Sequence, residues 1–529
     1  MSIRKRHSVE IPLKAESYET AIQFIEQCLN QHRISGTSLY ETPLLFEAVF
    51  QDILEQGVNQ GTVLTLKSQR SFGEFNIVLG FEGESYIPSI EKAQETLSPE
   101  LRIVQAFSDK ISHRYSMGYN HISIVVKRNY SSSMMYCFIA IILAVLTGVL
   151  LNSFVDGDNL ITLDTMFIVP TITQFTNAML MIGAPVTFFS LIKNLTDIYI
   201  ISEKSSSSRK LQIKTITTSV IAIMLAVITS AFIWVVLNSQ QGLLESAGSF
   251  SSGMNITEFI TSLVPGNIFE PFETYMPFPI IILSLLLTYA LCSIGKYFDS
   301  VYRFINTCLE LFSKMLTVVM FTLPFFCFLT VLSLFITDTI SEIMVYVRCI
   351  LLILASIIVI AVFYLIRLLI GRVNVRNFIK HLPGLISENF KINSAIDAVP
   401  FNIRYCSKKY GFNPKRLSAK LPVLAQTNQD GNCFLIMMCS LVFVLLLGIE
   451  VSWLQLIAIG VLVLFLSAGA PNQPGSIVIG MLIIVSYLHA DSLILTAIIA
   501  EVFLGSIQNI INVLGDIVTV AIEEQKSQL

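Results

Sequence analysis

The sequence predicts an α-helical membrane protein preceded by a small soluble α/β domain. Three observations carry this. The chain is 53% hydrophobic and only 13% charged, whereas soluble domains are about 25% charged, so most of it must meet a solvent other than water. Apolar runs of about 20 residues, the length that crosses roughly 30 Å of hydrocarbon, recur from Met134 onward and none precedes it. Residues 1–130 instead alternate short strand-like and helix-like patterns. The net charge of −3 points to no charged partner class, and nucleic acid is not expected as a partner.

Within residues 1–130 the expected order is strand (Ser8 to Leu13), helix (Tyr18 to His32), helix (Glu41 to Gly57), strands (Thr62 to Lys67 and Glu74 to Leu79), a helical region (Ser89 to Ser108) and a strand (His121 to Lys127). The opening MSIRKRHSVE has positive charge with no apolar core behind it, so no secretory signal is read there. This order resembles the GHKL-type ATPase fold, particularly its anti-sigma-factor-kinase branch. In EAVFQDILEQG, Gln51 stands where that family's helix carries a magnesium-holding asparagine, and in FEGES, Phe81 stands at the adenine-reading aspartate. SMGYN (Ser116 to Asn120) is similar to a remnant of the lid. With both chemical essentials replaced, the resemblance implies a degenerate domain with a regulatory or scaffolding role rather than ATP hydrolysis.

Candidate spans follow at Met134 to Leu151, Met166 to Leu191, Ile213 to Leu237, a broken segment from Phe259 to Leu291, Val301 to Phe328 and Ile343 to Ile370. Their connections alternate in charge. Lys127 and Arg128 precede the first; Lys193, Lys204, Arg209, Lys210 and Lys214 join the second to the third; Lys296 and Arg303 join the fourth to the fifth; Arg367, Arg372, Arg376 and Lys380 follow the sixth. The intervening connections hold Asp156, Asp158, Asp164, Asp338 and Glu342 without Lys or Arg. Short cytoplasmic loops are enriched in Lys and Arg, so the N-terminus is read as cytoplasmic. Ser205 to Ser208 reads as a loop between basic residues.

Beyond Ile370 the apolar pieces (Pro383 to Ile403, Leu421 to Leu447, Leu454 to Leu488, Leu493 to Ile522) are interrupted by Gly, Pro, Asn and Gln. The first of them is basic on both sides, with Arg404, Lys408, Lys409, Lys415, Arg416 and Lys420 after it, which reads as a re-entrant hairpin. Irregular backbone at membrane depth is tolerated only under a cover of protein or beside a water-filled cavity. Nine scattered cysteines without CxxC spacing and six dispersed histidines indicate neither a disulfide framework nor a metal cluster.

Four polar constellations interrupt these pieces. KINSAIDAVP (Lys391 to Pro400) sits at the first hairpin's tip, where Lys391 and Asp397 also suit a plain ion pair. TNQDGN (Thr427 to Asn432) breaks a helix, and SAGAPNQPGS (Ser467 to Ser476) turns a second hairpin. Glu501, Gly505, Gln508, Asn512 and Asp516 recur at spacings of 4, 3, 4 and 4, which makes one polar stripe on an otherwise apolar helix. Ionisable groups inside a membrane usually mark an ion or substrate path. The blander alternatives are that Asp430 and Asp516 cap broken helices and that Gln508 and Asn509 are interhelical hydrogen-bond glue. No nucleophile with a base and orienting group is evident, so the chain is not read as an enzyme.

The order of hairpin, N-x-D-G, hairpin with x-P-G, then N-x-x-G-D resembles the dicarboxylate/amino acid:cation symporter family, the glutamate-transporter homologues. The resemblance covers Met134 to Glu524 and includes LVPGNIF (Leu263 to Phe269) and Pro185. It implies eight transmembrane helices plus two re-entrant hairpins, assembled as a homotrimer. Scaffold helices 1–6 would lie in residues 131–370. A transport core in residues 371–524 (first hairpin, broken helix 7, second hairpin, helix 8) would move past them as an elevator, leaving 525–529 as a cytoplasmic tail.

Carried over by position, Asn428, Asp430, Thr218 and Ser219 match one sodium site, and Asn512 and Asp516 match another. Thr215 replaces that family's third-helix tyrosine, and Gln429 replaces the methionine of N-M-D-G. Gln508 stands where acidic-substrate members have arginine, and Gly505 where amino-acid transporters have an aspartate. Asn393, Ser394 and Ala395 replace a serine-rich tip, Asn432 replaces a threonine, and Asn472 and Gln473 occupy the second hairpin's turn.

An amide in place of guanidinium loses a permanently charged bidentate carboxylate ligand. The expected solute is therefore small, polar and non-acidic, with Ser394, Ala395, Asn432, Asn472, Gln473, Gln508, Asn509 and Asn512 as candidate contacts. Glu501, one turn from Gly505, is placed where it could meet an amine, but it matches a position that in the family usually supports the arginine rather than the ligand. The expectation is a sodium-coupled symporter, with Na+ as coupling ion, protons as the alternative coupling ion, and no organic cofactor. It would be a multi-pass protein of a bacterial inner (plasma) membrane, surrounded by lipid, with both termini cytoplasmic. The alternative is a ligand receptor on a transporter fold that signals through its N-terminal domain.

Overall fold

The computed structural model describes residues 8–32, 34, 38–55, 62–71, 74–83, 111–116, 118–128, 131–204, 206–238, 263–337, 340–392, 394–446, 452–469, 475–487 and 494–528. Two compact units form, Met1–Tyr130 with Arg376–Val423, and Ser131–Val375 with Leu424–Leu529.

The N-terminal part of the first unit contains β1 (Ser8–Pro12), α1 (Tyr18–Gln31), α2 (Ser38–Glu55), β2 (Val63–Ser71), β3 (Glu74–Glu82), β4 (Ile111–Ser116) and β5 (Tyr119–Arg128). The five strands pair antiparallel in the order β1-β2-β3-β5-β4. Alternation sets the inner face: Leu64 and Leu66, then Ile77, Leu79 and Phe81, then Ile122 and Ile124 are all buried. The helices supply the other half of the core. Ala21, Ile25, Cys28 and Leu29 of α1, and Leu45, Phe46, Val49, Phe50 and Ile53 of α2, fall on single helical faces and are buried. Edge strand β4 was not expected, because ISHRYS lacks an apolar alternation. The expected helical region Ser89 to Ser108 lies outside the described residues.

The membrane part begins with α3 (Ser131–Phe154). Next, α4 (Gly157–Leu163) runs through a π-helical turn at Asp164–Ile168 into α5 (Val169–Lys204). There follow α6 (Ser206–Asn238), α7 (Glu270–Glu273), α8 (Pro277–Ser293), α9 (Phe298–Phe321), α10 (Leu323–Thr337) and α11 (Ile340–Ile370). Helix α6 starts inside the serine run that was expected as a loop. Of the broken segment from Phe259 to Leu291, residues 259–262 lie outside the described residues, Leu263 to Phe269 form turns, and the helical parts are the short α7 and the longer α8.

The expected span Val301 to Phe328 is two helices that part at Thr322. Pro324 lacks an N–H and fits the first turn of a helix, not its interior. Arg367, read as a cytoplasmic loop charge, instead lies within the span Val347–Ile370 and donates from Nη2 to Thr519 Oγ1 at 2.9 Å.

The first hairpin and its exit are α12 (Val375–Ile392), α13 (Val399–Tyr410) and α14 (Pro414–Thr427). Helices α12 and α13 run antiparallel. Asn389 and Asn402 exchange amide hydrogen bonds of 2.9 and 3.3 Å, and the hydroxyls of Tyr405 and Tyr410 donate to the carbonyls of His381 and Phe378. Their tip is the turn at residues 395–398, flanked by Ser394. There the Asp397 N–H donates to Ser394 Oγ at 3.3 Å, and Ala395 is buried. Asn393 and the Lys391 side chain lie outside the described residues.

The second unit is completed by α15 (Asp430–Leu446), α16 (Trp453–Gly469), α17 (Ser476–Tyr487) and α18 (Ile494–Gln528). Among the described residues six helical stretches are long and apolar enough to cross a membrane: Met135–Phe154, Gly157–Ile200, Arg209–Ile233, Phe298–Phe321, Val347–Ile370 and Ala497–Lys526. Helices α8, α10 and α16 are apolar but shorter. Met135, Phe138, Ile142, Leu146 and Val149 leave an exposed apolar stripe on α3, as a lipid-facing helix does. Inside the unit α15 packs along α6 and α18, α17 along α18, and α16 along α5.

Helices α3 and α10 also pack together. A Cβ at Gly148 would sit 2.7 Å from Cβ of Phe335, so the helices approach through this gap. Gly148→Val is expected to overpack the contact at a cost of about 1–3 kcal/mol. The check is the thermal unfolding midpoint of the detergent-solubilised protein, which should fall; an unchanged midpoint would contradict the packing.

Candidate cation-binding site

Helix α14 ends at Thr427 and α15 starts at Asp430, with Asn428 and Gln429 between them outside helical geometry. Two features favour the break. Amide side chains compete for backbone hydrogen bonds, and a carboxylate in the first turn complements the positive end of α15. The break faces the polar stripe of α18, and glycines on both sides permit the approach. A Cβ on Gly431 would collide with the carbonyl oxygen of Gln508. One on Gly515 would lie 2.5 Å from Asn428 Nδ2, 2.8 Å from the Tyr364 hydroxyl and 3.0 Å from Asp430 Oδ2.

The resulting cluster is buried throughout. Ser219 Oγ donates to Asp430 Oδ1 at 3.1 Å. The Tyr364 hydroxyl lies 3.1 Å from Asp430 Oδ2 and 3.1 Å from the carbonyl of Ile511. Asn428 Nδ2 donates to the carbonyl of Asn512 at 2.9 Å, and its amide is also within hydrogen-bonding reach of Asp516. Asn512 accepts from the N–H of Gly431 at 2.7 Å and donates to Asn432 Oδ1 at 3.3 Å. Thr218 donates to the carbonyl of Thr215 at 2.9 Å and lies within reach of Asp430.

Three oxygens in this cluster have no protein partner: Asn428 Oδ1, Gln429 Oε1 and Asp516 Oδ1. Buried polar atoms are ordinarily paired, and an orphan carries its full desolvation penalty. Carboxylate and amide oxygens are hard ligands, suited to a hard cation rather than to a soft transition metal. The residues present therefore fit a small cation, and Asn428 and Asp516 would hold it.

A second cluster lies along the same stripe. Glu501 accepts from the N–H groups of Gly475 (2.8 Å), Ile477 (3.2 Å) and Val478 (3.2 Å) at the start of α17. Two turns along, Gln508 Nε2 donates to Ser476 Oγ at 2.7 Å, and Ser476 Oγ lies 3.0 Å from Gln508 Oε1.

Of the expected cation ligands, Thr218, Ser219, Asn428, Asp430, Asn512 and Asp516 converge on the first cluster. Of the expected solute contacts, Asn432 and Asn512 belong to that cluster and Gln508 binds the start of α17. Asn509 Nδ2 lies 3.4 Å from the carbonyl of Gly505 on its own helix. Ser394 and Ala395 lie in the other compact unit, and Asn472 and Gln473 lie outside the described residues.

Two residues of the first cluster escaped sequence reasoning, Tyr364 and Arg367. Their signal was a tyrosine and an arginine three apart, on one helix face, at the end of an apolar run. Arg367 lies 5.6 and 5.9 Å from the ring centres of Phe363 and Tyr364. A tyrosine hydroxyl thus reaches Asp430 from α11. Thr215 itself donates to the carbonyl of Gln212 at 2.8 Å and lies 3.4 Å from the Thr427 hydroxyl.

A family model described as the Sodium:dicarboxylate symporter family matches residues 134–525. No curated protein matches the chain.

Tyr364→Phe keeps the ring and removes the hydroxyl shared by Asp430 and the Ile511 carbonyl. A stability loss of about 1–3 kcal/mol is expected, measured as a lowered unfolding midpoint. An unchanged midpoint would mean that the hydroxyl does not hold Asp430.

Proposed function

This chain belongs to the sodium:dicarboxylate symporter family, and from that premise we propose that it is a sodium-coupled symporter of a small, polar, non-acidic solute, working by an elevator-type movement. Membership itself makes it a multi-pass membrane protein and a cation-coupled secondary transporter of a small molecule, not an enzyme. The observation that carries the finer reading is the pair of orphaned buried oxygens, Asn428 Oδ1 and Asp516 Oδ1, beside Asp430. A small monovalent cation supplies what both lack without bringing a polar group of its own that needs burial. Thr218, Ser219, Asn428, Asp430, Asn512 and Asp516 are the proposed ion ligands. Gln508, an amide on the stripe, supports a solute without a carboxylate that demands guanidinium.

We assign residues 131–370 to a scaffold and 371–524 to a moving core within a homotrimer, with eight spans and two re-entrant hairpins, α12–α13 and α16–α17. The alternating basic connections support cytoplasmic termini. The N-terminal domain is proposed to be regulatory or scaffolding and to hydrolyse no ATP. Phe81 is packed into its core, and Gln51, at the position of a magnesium ligand, is exposed. The folded core of that domain favours the second reading, a ligand receptor that signals through it.

The test is thermal unfolding in sodium against choline buffer across amino acids, organic acids and nucleosides, followed by uptake into proteoliposomes. Sodium at about 100 times its dissociation constant should stabilise the wild type by about 2.7 kcal/mol, and Asp516→Asn should abolish that gain. Equal midpoints in sodium and choline for the wild type would defeat sodium coupling. Solute binding without uptake would favour the receptor.

A further inference from the structure

The first turn of a helix presents unpaired N–H groups and the positive end of its dipole, so it attracts an anion. Helix α17 is twelve residues long, and its first turn follows Gly475. That end is already filled from within the chain. Both carboxylate oxygens of Glu501 are engaged: Oε1 by the N–H of Gly475, Oε2 by those of Ile477 and Val478. Glu501 is buried, with 7% of its surface exposed.

Gly505 makes the arrangement possible. A Cβ there would stand 2.6 Å from Glu501 Oε1, so any side chain at this position would push the carboxylate off the hairpin. Gly475 contributes through its backbone, with φ of +100°, a conformation that side chains disfavour. Gln508 fastens the same turn by its bonds to Ser476. Glu501 and Gln508 lie on one face of α18, seven residues apart, and between them they hold the first four residues of the hairpin's second arm.

We propose that Glu501 is a tethered anion that occupies the amide cradle of the second hairpin, and that it is a specificity-determining residue which bars carboxylate-bearing solutes from that cradle. The inference rests on the transport reading above for its solute, but its geometry stands apart from the cation cluster. A carboxylate solute has no free N–H groups to bind here, and its charge meets that of Glu501 in a low-dielectric setting. A neutral or cationic solute meets neither obstacle. Loss of the tethered carboxylate should open a site for a small anion of the same chemistry.

The experiment follows amide hydrogen exchange of the segment 475–487 in the full-length, detergent-solubilised protein. Glu501→Ala should speed exchange of this segment about tenfold or more, since it removes three hydrogen bonds to a charged acceptor. Sodium formate should slow it again, and sodium chloride at equal concentration should not. Glu501→Gln keeps the shape and serves if the alanine variant does not fold. It should speed exchange at the amides that lose an acceptor and ignore formate, because the cradle stays filled. In the wild type, formate, aspartate and succinate should leave this exchange unchanged.

Unchanged exchange in Glu501→Gln, formate-insensitive exchange in a folded Glu501→Ala, or protection of the wild type by aspartate or succinate would each overturn the proposal. None of these readouts requires sodium-driven uptake. A failure here therefore leaves the coupling reading standing, and a failure of sodium coupling leaves this one standing.

Discussion

A carboxylate withdrawn from water must find donors or a counter-charge, and that requirement organises the second unit. The idealised cost of taking one such ion into a low-dielectric interior is large, and it remains several kcal/mol after relaxation. Asp430, Glu501 and Asp516 are all buried, with Asp430 fully enclosed. The helices that surround them are placed so as to deliver hydroxyls, amides and backbone N–H groups to these three points. Apolar packing alone does not demand that α6, α11, α15 and α18 meet where they do. The positions of Ser219, Tyr364, Asn428 and Asn512 do demand it, because each reaches a partner on a different helix.

The helix break and the glycines serve that same end. An unbroken helix through residues 427–432 would tie the N–H of Gly431 to its own helix and hide it from Asn512. With the break, that N–H is free to donate across to α18. Gly431 and Gly515 then remove the side chains that would keep the two backbones apart. Glycine inside or near a helix costs up to about 1 kcal/mol relative to alanine, an amount small beside the hydrogen bonds to charged groups that the close approach allows. Local propensity is set aside here in favour of a polar contact between helices.

Much of this was legible in the sequence, for a physical reason. Period carries over directly to geometry, so Glu501, Gly505, Gln508, Asn512 and Asp516 form a stripe in the structure as they do on paper, and the break at TNQDGN falls where amides and Gly interrupt an apolar run. Contacts between distant segments were not legible. Nothing in YLIR tells which helix its tyrosine meets, and Arg367 read as a loop charge because hydropathy counts a charge without seeing its partner, Thr519. Helix α10 was lost for a similar reason: a window average runs smoothly over Thr322, whereas the backbone does not. Strand β4 escaped because its pairing with β5, rather than an apolar alternation of its own, makes it a strand.

Asp430, Glu501 and Asp516 differ in how they are satisfied, and the difference sorts their roles. Asp430 accepts from hydroxyls on α6 and α11, and Glu501 from three backbone N–H groups of the second hairpin. Asp516 keeps one oxygen without a protein partner, next to an asparagine whose own oxygen is likewise unpaired. A group whose donors are all supplied from within is stable in the absence of any ligand and gains little from one. A group left short of donors makes the fold around it depend on something from outside. Among the proposed ligands, the dependence on a cation should thus be strongest at Asp516 and Asn428, with Asp430 already held by protein donors and Glu501 bound to the backbone at the start of α17. Carboxylates four turns apart on one helix, and a third on the helix that faces it, can in this way be held by different donors: backbone N–H groups for Glu501, hydroxyls for Asp430, and for Asp516 a set left one partner short.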